Sequence, residues 1–200
     1  MNTGNCLKTL EGHTSSVYSV AIEGDKIISG SKDKTIKIWD LNSGECLKTL
    51  RAHLGSVTSI AISGDKIISG SEDEMIKIWN LNSGECLQTL RGNVDSIFSI
   101  VISGNKIVSG SWDRTIQIWD LNTGNCLKTL RGHTEIVISI AIQGDKIISG
   151  SSDKTIKIWD LNSGNCLKTL RGHTDWVYSV AIEGDKIISG SSIKRLRFGI

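Results

Sequence analysis

The sequence predicts an all-β array of five repeated units, and three observations carry that prediction. Blocks of forty residues align without gaps: "TIKIWD" begins at Thr35 and Thr155, "MIKIWN" at Met75 and "TIQIWD" at Thr115. "SGS" recurs at Ser29, Ser69, Ser109, Ser149 and Ser189, and residues 121–152 differ from 161–192 at only six positions. Within each block, short apolar runs alternate with polar residues at a period of two, as strands with one buried face do. Proline is absent, and no helical period of useful length occurs. A period this regular means that each unit buries its faces against its neighbours.

The first complete unit shows how each strand arises. "VYSVAI" (17–22) and "KIISGS" (26–31) flank "EGD", where Gly24-Asp25 suits a two-residue type II′ hairpin. "TIKIWDL" (35–41) sets Ile36 and Ile38 against Lys37, giving one apolar face. "NSG" follows, and Gly44 supplies the positive φ of a turn with a bulge before "CLKTL" at 46–50. The prediction is four short strands per unit.

"GHT", then "SGS", then "DKTIKIWD", repeated at a spacing of forty, resembles the WD-repeat β-propeller family over essentially the whole chain. The resemblance implies four-stranded antiparallel blades around a central channel, with "CLKTL" as the outer strand of the preceding blade. The units run approximately 1–40, 41–80, 81–120, 121–160 and 161–200, in one propeller domain. Five lies within the range of propeller blade numbers. The last unit lacks an outer strand, and residues 6–10, "CLKTL", have no strand before them. The expectation is a ring whose degenerate fifth blade is completed by that N-terminal strand, and so a monomer. The alternative is an open arc that pairs with a second chain to hide its edges, a homo-oligomer.

The resemblance also implies a hydrogen-bonded tetrad in each blade. Carried onto this sequence, the sets are His13, Ser29, Asp33, Trp39; His53, Ser69, Asp73, Trp79; and His133, Ser149, Asp153, Trp159. The third unit keeps Ser109, Asp113 and Trp119 but has Asn93 in place of His. Ser, His and Asp together raise the thought of a hydrolase. A nucleophile, however, needs an open cleft and oxyanion donors, and needs them once. Near-identical copies inside successive blades are expected to be structural polar networks. No catalytic residue, cofactor or metal is expected, since the histidines fall one per unit.

Differences between the copies concentrate just after "GH" and at the residue before the tetrad Asp. In the family both places lie on one rim, the face that usually binds partners. This marks Glu72, Asp95, Trp112, Glu135, Ile136, Asp175 and Trp176 as candidate partner-binding residues. Aromatics beside carboxylates suit a protein or peptide bearing Lys or Arg. The competing reading is that Ile136 and Trp176 pack under loops.

Composition narrows the rest. Net charge is +2, with 23 basic and 21 acidic residues, which gives no bulk attraction to nucleic acid. No stretch has the roughly 20 apolar residues of a membrane span, and the N-terminus has no secretory signal, so a cytoplasmic protein is expected. Cys6, Cys46, Cys86, Cys126 and Cys166 occupy equivalent places in successive units and are expected to be small, buried or half-buried thiols. The function expected is a non-catalytic binding scaffold; the alternative is a fragment of a larger signalling or sensor protein.

The repeat breaks near the end, where "DKTIKIWD" is expected and "IKRLRFGI" stands at 193–200. One spelling of "DKTIKIWDLN" that loses its first base reads Ile-Lys-Arg-Leu-Arg-Phe-Gly-Ile followed by a stop. A one-base deletion in a longer repeat gene is therefore expected, and the coding DNA tests it. The change puts Ile193 and Gly199 at the places of the tetrad Asp and Trp. Leu196-Arg197-Phe198 still alternates, so a third strand is expected there.

Overall fold

The computed structural model describes residues 6–51, 53–192 and 195–199, the last stretch as backbone. Blade one is β1 (Val17–Glu23), β2 (Lys26–Ser31), β3 (Thr35–Asp40) and β4 (Cys46–Arg51). Blade two is β5 (Val57–Ser63), β6 (Lys66–Ser71), β7 (Ile76–Asn80) and β8 (Cys86–Leu90). Blade three is β9 (Ile97–Ser103), β10 (Lys106–Ser111), β11 (Ile116–Asp120) and β12 (Cys126–Leu130). Blade four is β13 (Val137–Gln143), β14 (Lys146–Ser151), β15 (Ile156–Asp160) and β16 (Cys166–Leu170). Blade five has β17 (Val177–Glu183), β18 (Lys186–Ser191) and β19 (Arg195–Gly199). Every sheet is an antiparallel meander in chain order, four strands in blades one to four and three in blade five.

Local chemistry sets the geometry of each meander. Between β1 and β2, Gly24 has φ 58° while Asp25 has no positive φ, as a type II′ turn requires. Gly44 has φ 80°, and the β3–β4 ladder shifts register between Ile38 and Trp39. That is the bulge expected from the turn. β19 joins β18 with Ile187 opposite Gly199, the register in which Ile147 faces Trp159 in blade four.

The core lies between blades. Ile28, Ile36, Ile38 and Leu50 of blade one meet Val57, Ile60, Ile67, Trp79 and Leu81 of blade two. The same seam joins blades two and three, three and four, and four and five. A glycine in the second strand makes the close approach possible: a Cβ on Gly30 would lie 2.6 Å from Val57 Cγ1, and one on Gly70 2.6 Å from Ile97 Cγ2. Each seam also carries one polar hook. Ser19 Oγ accepts from the Ile60 amide at 2.9 Å, and Ser59, Ser99 and Ser139 do the same for Ile100, Ile140 and Val180.

The two ends of the array differ from the interior. Val17 and Val20 are 47% and 65% exposed, whereas their counterparts Val57 and Ile60 are 0% and 6%. Among the described residues, no apolar cluster joins blade five to blade one. Ring closure is therefore not shown. Among the described residues, residues 6–10 are not paired with the strands of blade five. Those residues are in no strand, and Leu10 and Lys8 stand against Gly44 of blade one as Leu50 and Lys48 stand against Gly84. Lys8 Nζ donates to the Asn42 carbonyl, as Lys48 does to that of Ser83. The segment occupies the place of an outer strand before blade one because its leucine fits that glycine turn.

Gly70→Ala should destabilise the chain by about 1–3 kcal/mol, the usual cost of overpacking. Urea denaturation measures it, and an unchanged midpoint would contradict the close approach at the seam.

Candidate functional site

The tetrad residues meet at the edge of each blade, where the "GH" loop crosses onto the second and third strands. In blade one, Trp39 Nε1 donates to Ser29 Oγ at 2.8 Å. Ser29 Oγ lies 2.7 Å from His13 Nε2, and His13 Nδ1 lies 2.7 Å from Asp33 Oδ2. Indole nitrogen only donates, so the serine accepts from it and gives its own proton to Nε2. The imidazole proton then sits on Nδ1 and is donated to the carboxylate. Blades two and four repeat the arrangement, with Trp79–Ser69 at 2.9 Å and Trp159–Ser149 at 2.8 Å. His53 lies 2.8 Å from Ser69 and 2.9 Å from Asp73; both His133 distances are 2.7 Å.

The aspartate does a second task. Asp33 Oδ1 accepts from the Thr35 amide at 3.0 Å and hydroxyl at 2.6 Å, and Oδ2 accepts from the Thr14 amide at 3.0 Å. This holds the β2–β3 turn, in which Lys34 takes a left-handed φ of 71°. Burial would push the Asp33 carboxyl up, but the hydrogen bonds from Thr35, the Thr14 amide and His13 outweigh it and hold it well below 3.8. Asp153 is lowered in the same way, burial being outweighed by His133 and Thr155. In blade two Met75 stands where Thr35 would be. There burial is again outweighed, by His53 and the Leu54 amide, and Asp73 is held at about 2.

Blade three departs from the pattern. Trp119 donates to Ser109 at 3.0 Å, while Asp113 accepts from Thr115 and weakly from the Val94 amide at 3.5 Å. Asn93 is buried, and neither Oδ1 nor Nδ2 has a hydrogen-bond partner. The amide does not bridge serine and aspartate as the longer imidazole does, so this set divides in two. In blade five, His173 lies 2.8 Å from Ser189. Ile193 falls outside the described residues, and Gly199, opposite Ile187 where blade four has Trp159, has no side chain to offer.

The candidate partner-binding residues are spread over blades two to five. Trp112 is 49% exposed and tilts against Phe98, centroids 5.7 Å apart, on blade three. Trp176 is 42% exposed and pairs with Tyr178 at 5.8 Å on blade five. Glu72 and Glu135 are exposed. Asp95, Asp175 and Ile136 are half-buried, and the two aspartates accept from the following amides, Ser96 at 2.7 Å and Trp176 at 2.8 Å. Phe98 and Tyr178, which complete the aromatic pairs, were not singled out by sequence; the signal was there in "VDSIF" and "TDWVY". Leu54 and Val94, directly after the tetrad position, are also exposed.

The expectation of buried or half-buried thiols is corrected: all five cysteines are free and exposed. Their strand is the outermost, and the bulge between Ile38 and Trp39 pairs Cys46 with Trp39, out of phase with Leu50, which points into the seam. Among the described residues, no group of three His, Cys, Asp or Glu residues is placed to hold a metal ion. Nor is any helix among the described residues long and apolar enough to cross a membrane.

Sheets of four strands in meander order, with a serine-centred polar chain in each, define a β-propeller-like repeat protein. The chain matches the family described as WD domain, G-beta repeat over residues 4–40, 44–80, 84–120, 124–160 and 164–192, and it belongs to that family. Similar curated proteins include mitochondrial division protein 1 of Neurospora crassa, 54% identical over 41 residues. Vegetative incompatibility protein HET-E-1 of Podospora anserina is 65% identical over 37 residues, and a CCR4-associated factor 4 homolog of Candida glabrata 50% over 40. Each match covers 18–20% of this chain, and only 6%, 3% and 7% of those proteins respectively. One repeat is what they share.

Asn93→His should restore the divided set and stabilise the chain by about 1–3 kcal/mol, the penalty of a buried unpaired polar group. Urea denaturation tests this, and a destabilised variant would contradict the reading of blade three. Acid provides a second check. Asp73 is held at about 2 in the folded chain against an unfolded value of about 3.9. Its contribution is therefore present above pH 4 and is lost as pH falls toward 2. The urea midpoint should drop across that window, and less steeply in Asp73→Asn; equal slopes would contradict it.

Proposed function

We propose that the chain is a non-catalytic scaffold that holds a protein or peptide rich in Lys or Arg on its variable rim. The observation that carries this reading is two aromatic couples, a half-buried Phe98 against exposed Trp112 and exposed Trp176 against exposed Tyr178, with the Glu72 and Glu135 side chains also exposed. Partly exposed Trp and Tyr offer large contact area at low entropic cost and ring faces that attract a cation, and exposed carboxylates add attraction for Lys or Arg. Family membership supports protein interaction in general terms.

The serine geometry supports a non-catalytic role. Ser29, Ser69, Ser109 and Ser149 each accept a hydrogen bond from tryptophan, which takes up electron density that a nucleophile needs free. A cavity of about 630 Å3 does open beside His13 and Ser29. It lies on the bare face of blade one, where Val17 and Val20 have no neighbour. Exposed thiols in every unit support a reducing, cytoplasmic location as part of the same proposal.

Titration of the chain with Lys/Arg-rich and Asp/Glu-rich peptides tests the scaffold. The basic peptides should bind, and Trp112→Ala or Trp176→Ala should weaken binding about tenfold or more, as loss of an aromatic anchor does. The melting temperature should stay nearly unchanged. Preference for acidic peptides, or parallel loss of folding and binding, would refute the assignment.

A further inference from the structure

We infer that the bare face of blade one is a docking site for blade five of a second copy of this chain, joined head to tail. The seam it would form is already present four times inside the molecule, which fixes what each side must offer. Blade one offers Val17 and Val20, exposed where Val57 and Ile60 are buried. Blade five offers the other half. Ile188 is exposed where Ile28, Ile68, Val108 and Ile148 are fully buried. A Cβ on Gly190 would meet only Ser179 Cβ, at 3.9 Å, whereas one on Gly150 would lie 2.8 Å from Val177 Cγ1. The notch is open and unfilled.

The polar hook has the same polarity. Ser139 Oγ accepts from the Val180 amide across the last internal seam, and Ser179 holds the equivalent place on exposed blade five. In the docked pair it would accept from the Val20 amide of the second copy.

The strand count points to the same occupant. Among the described residues, blade five has three strands and β19 is its unpaired edge. Residues 6–10 stand beside blade one in the position of a preceding blade's fourth strand, and their "CLKTL" repeats β12 and β16. Docking brings the β19 edge of one copy to that segment of the other. The incoming blade gains its fourth strand and an open edge is covered. Because the two faces differ, the contact is heterologous, and each copy can both give and receive.

The test is light scattering on the 200-residue chain with two variants. Val20→Asp removes the receiving side and Gly190→Val the inserting side. Both changes fall on a face without a neighbour, so circular dichroism and the melting temperature at high dilution should match the parent. The parent should rise with concentration from 21.7 kDa to twice that mass or more, and each variant alone should stay at 21.7 kDa. An equimolar mixture of the two has one intact seam and should give a dimer. A parent that is monomeric at all concentrations, as a ring closed within one chain would be, overturns the inference. So does a single variant that still assembles, or a mixture that stays monomeric.

Discussion

The close approach of one blade to the next is the contact on which the structure depends. No blade has a core of its own, since a single twisted sheet cannot bury two apolar faces. Removing the Cβ at Gly30 and its equivalents lets the inner strand of the following blade reach the second strand of the preceding one. Val57, Ile60 and Ile67 are then withdrawn from water together, and burial of each such side chain is worth about 1.5–3 kcal/mol. Exposure of Val17 and Val20 is the same interaction left unmade.

The polar chains solve a different problem. The "GH" loop must be fixed to the rim of its blade without an apolar anchor, and Trp, Ser, His and Asp each satisfy one neighbour's hydrogen-bonding need. The aspartate ends the chain by accepting amides from two separate loops, which is why its carboxyl stays ionised although burial opposes this. The residues of a hydrolase triad thus serve as a clamp. Asn93 shows how strict the fit is: a shorter amide in the same place leaves both its polar atoms unpartnered.

Much of this was legible in the sequence because the repeat is so regular. The strands, the Gly24 turn, the Gly44 bulge and the membership of each polar chain follow from period, alternation and one family resemblance. The apposition of His13, Ser29, Asp33 and Trp39 needed no contact outside one unit and its loop. What was not legible depended on relations between units. Whether blade five meets blade one is decided by the curvature accumulated over four seams, which no local pattern encodes. The N-terminal "CLKTL" lies against Gly44 of blade one, in the place of a preceding blade's outer strand, and which blade it completes depends on a contact that period and alternation do not encode. The cysteines were misjudged because small thiols are usually buried, whereas this strand faces out. Trp112 and Trp176 stood out as differences between copies, but their partners Phe98 and Tyr178 sit on the inner strands and emerged only from ring geometry.

If the seams govern stability, protection from exchange must follow them. Hydrogen exchange, resolved by strand on the chain at high dilution, is the most direct measurement. The inner strands β5, β9 and β13 are packed on both sides and should exchange slowest, while β1 should exchange markedly faster than its near-identical counterparts. Uniform protection from β1 to β17 would contradict the account, because it would mean that no blade lacks a neighbour.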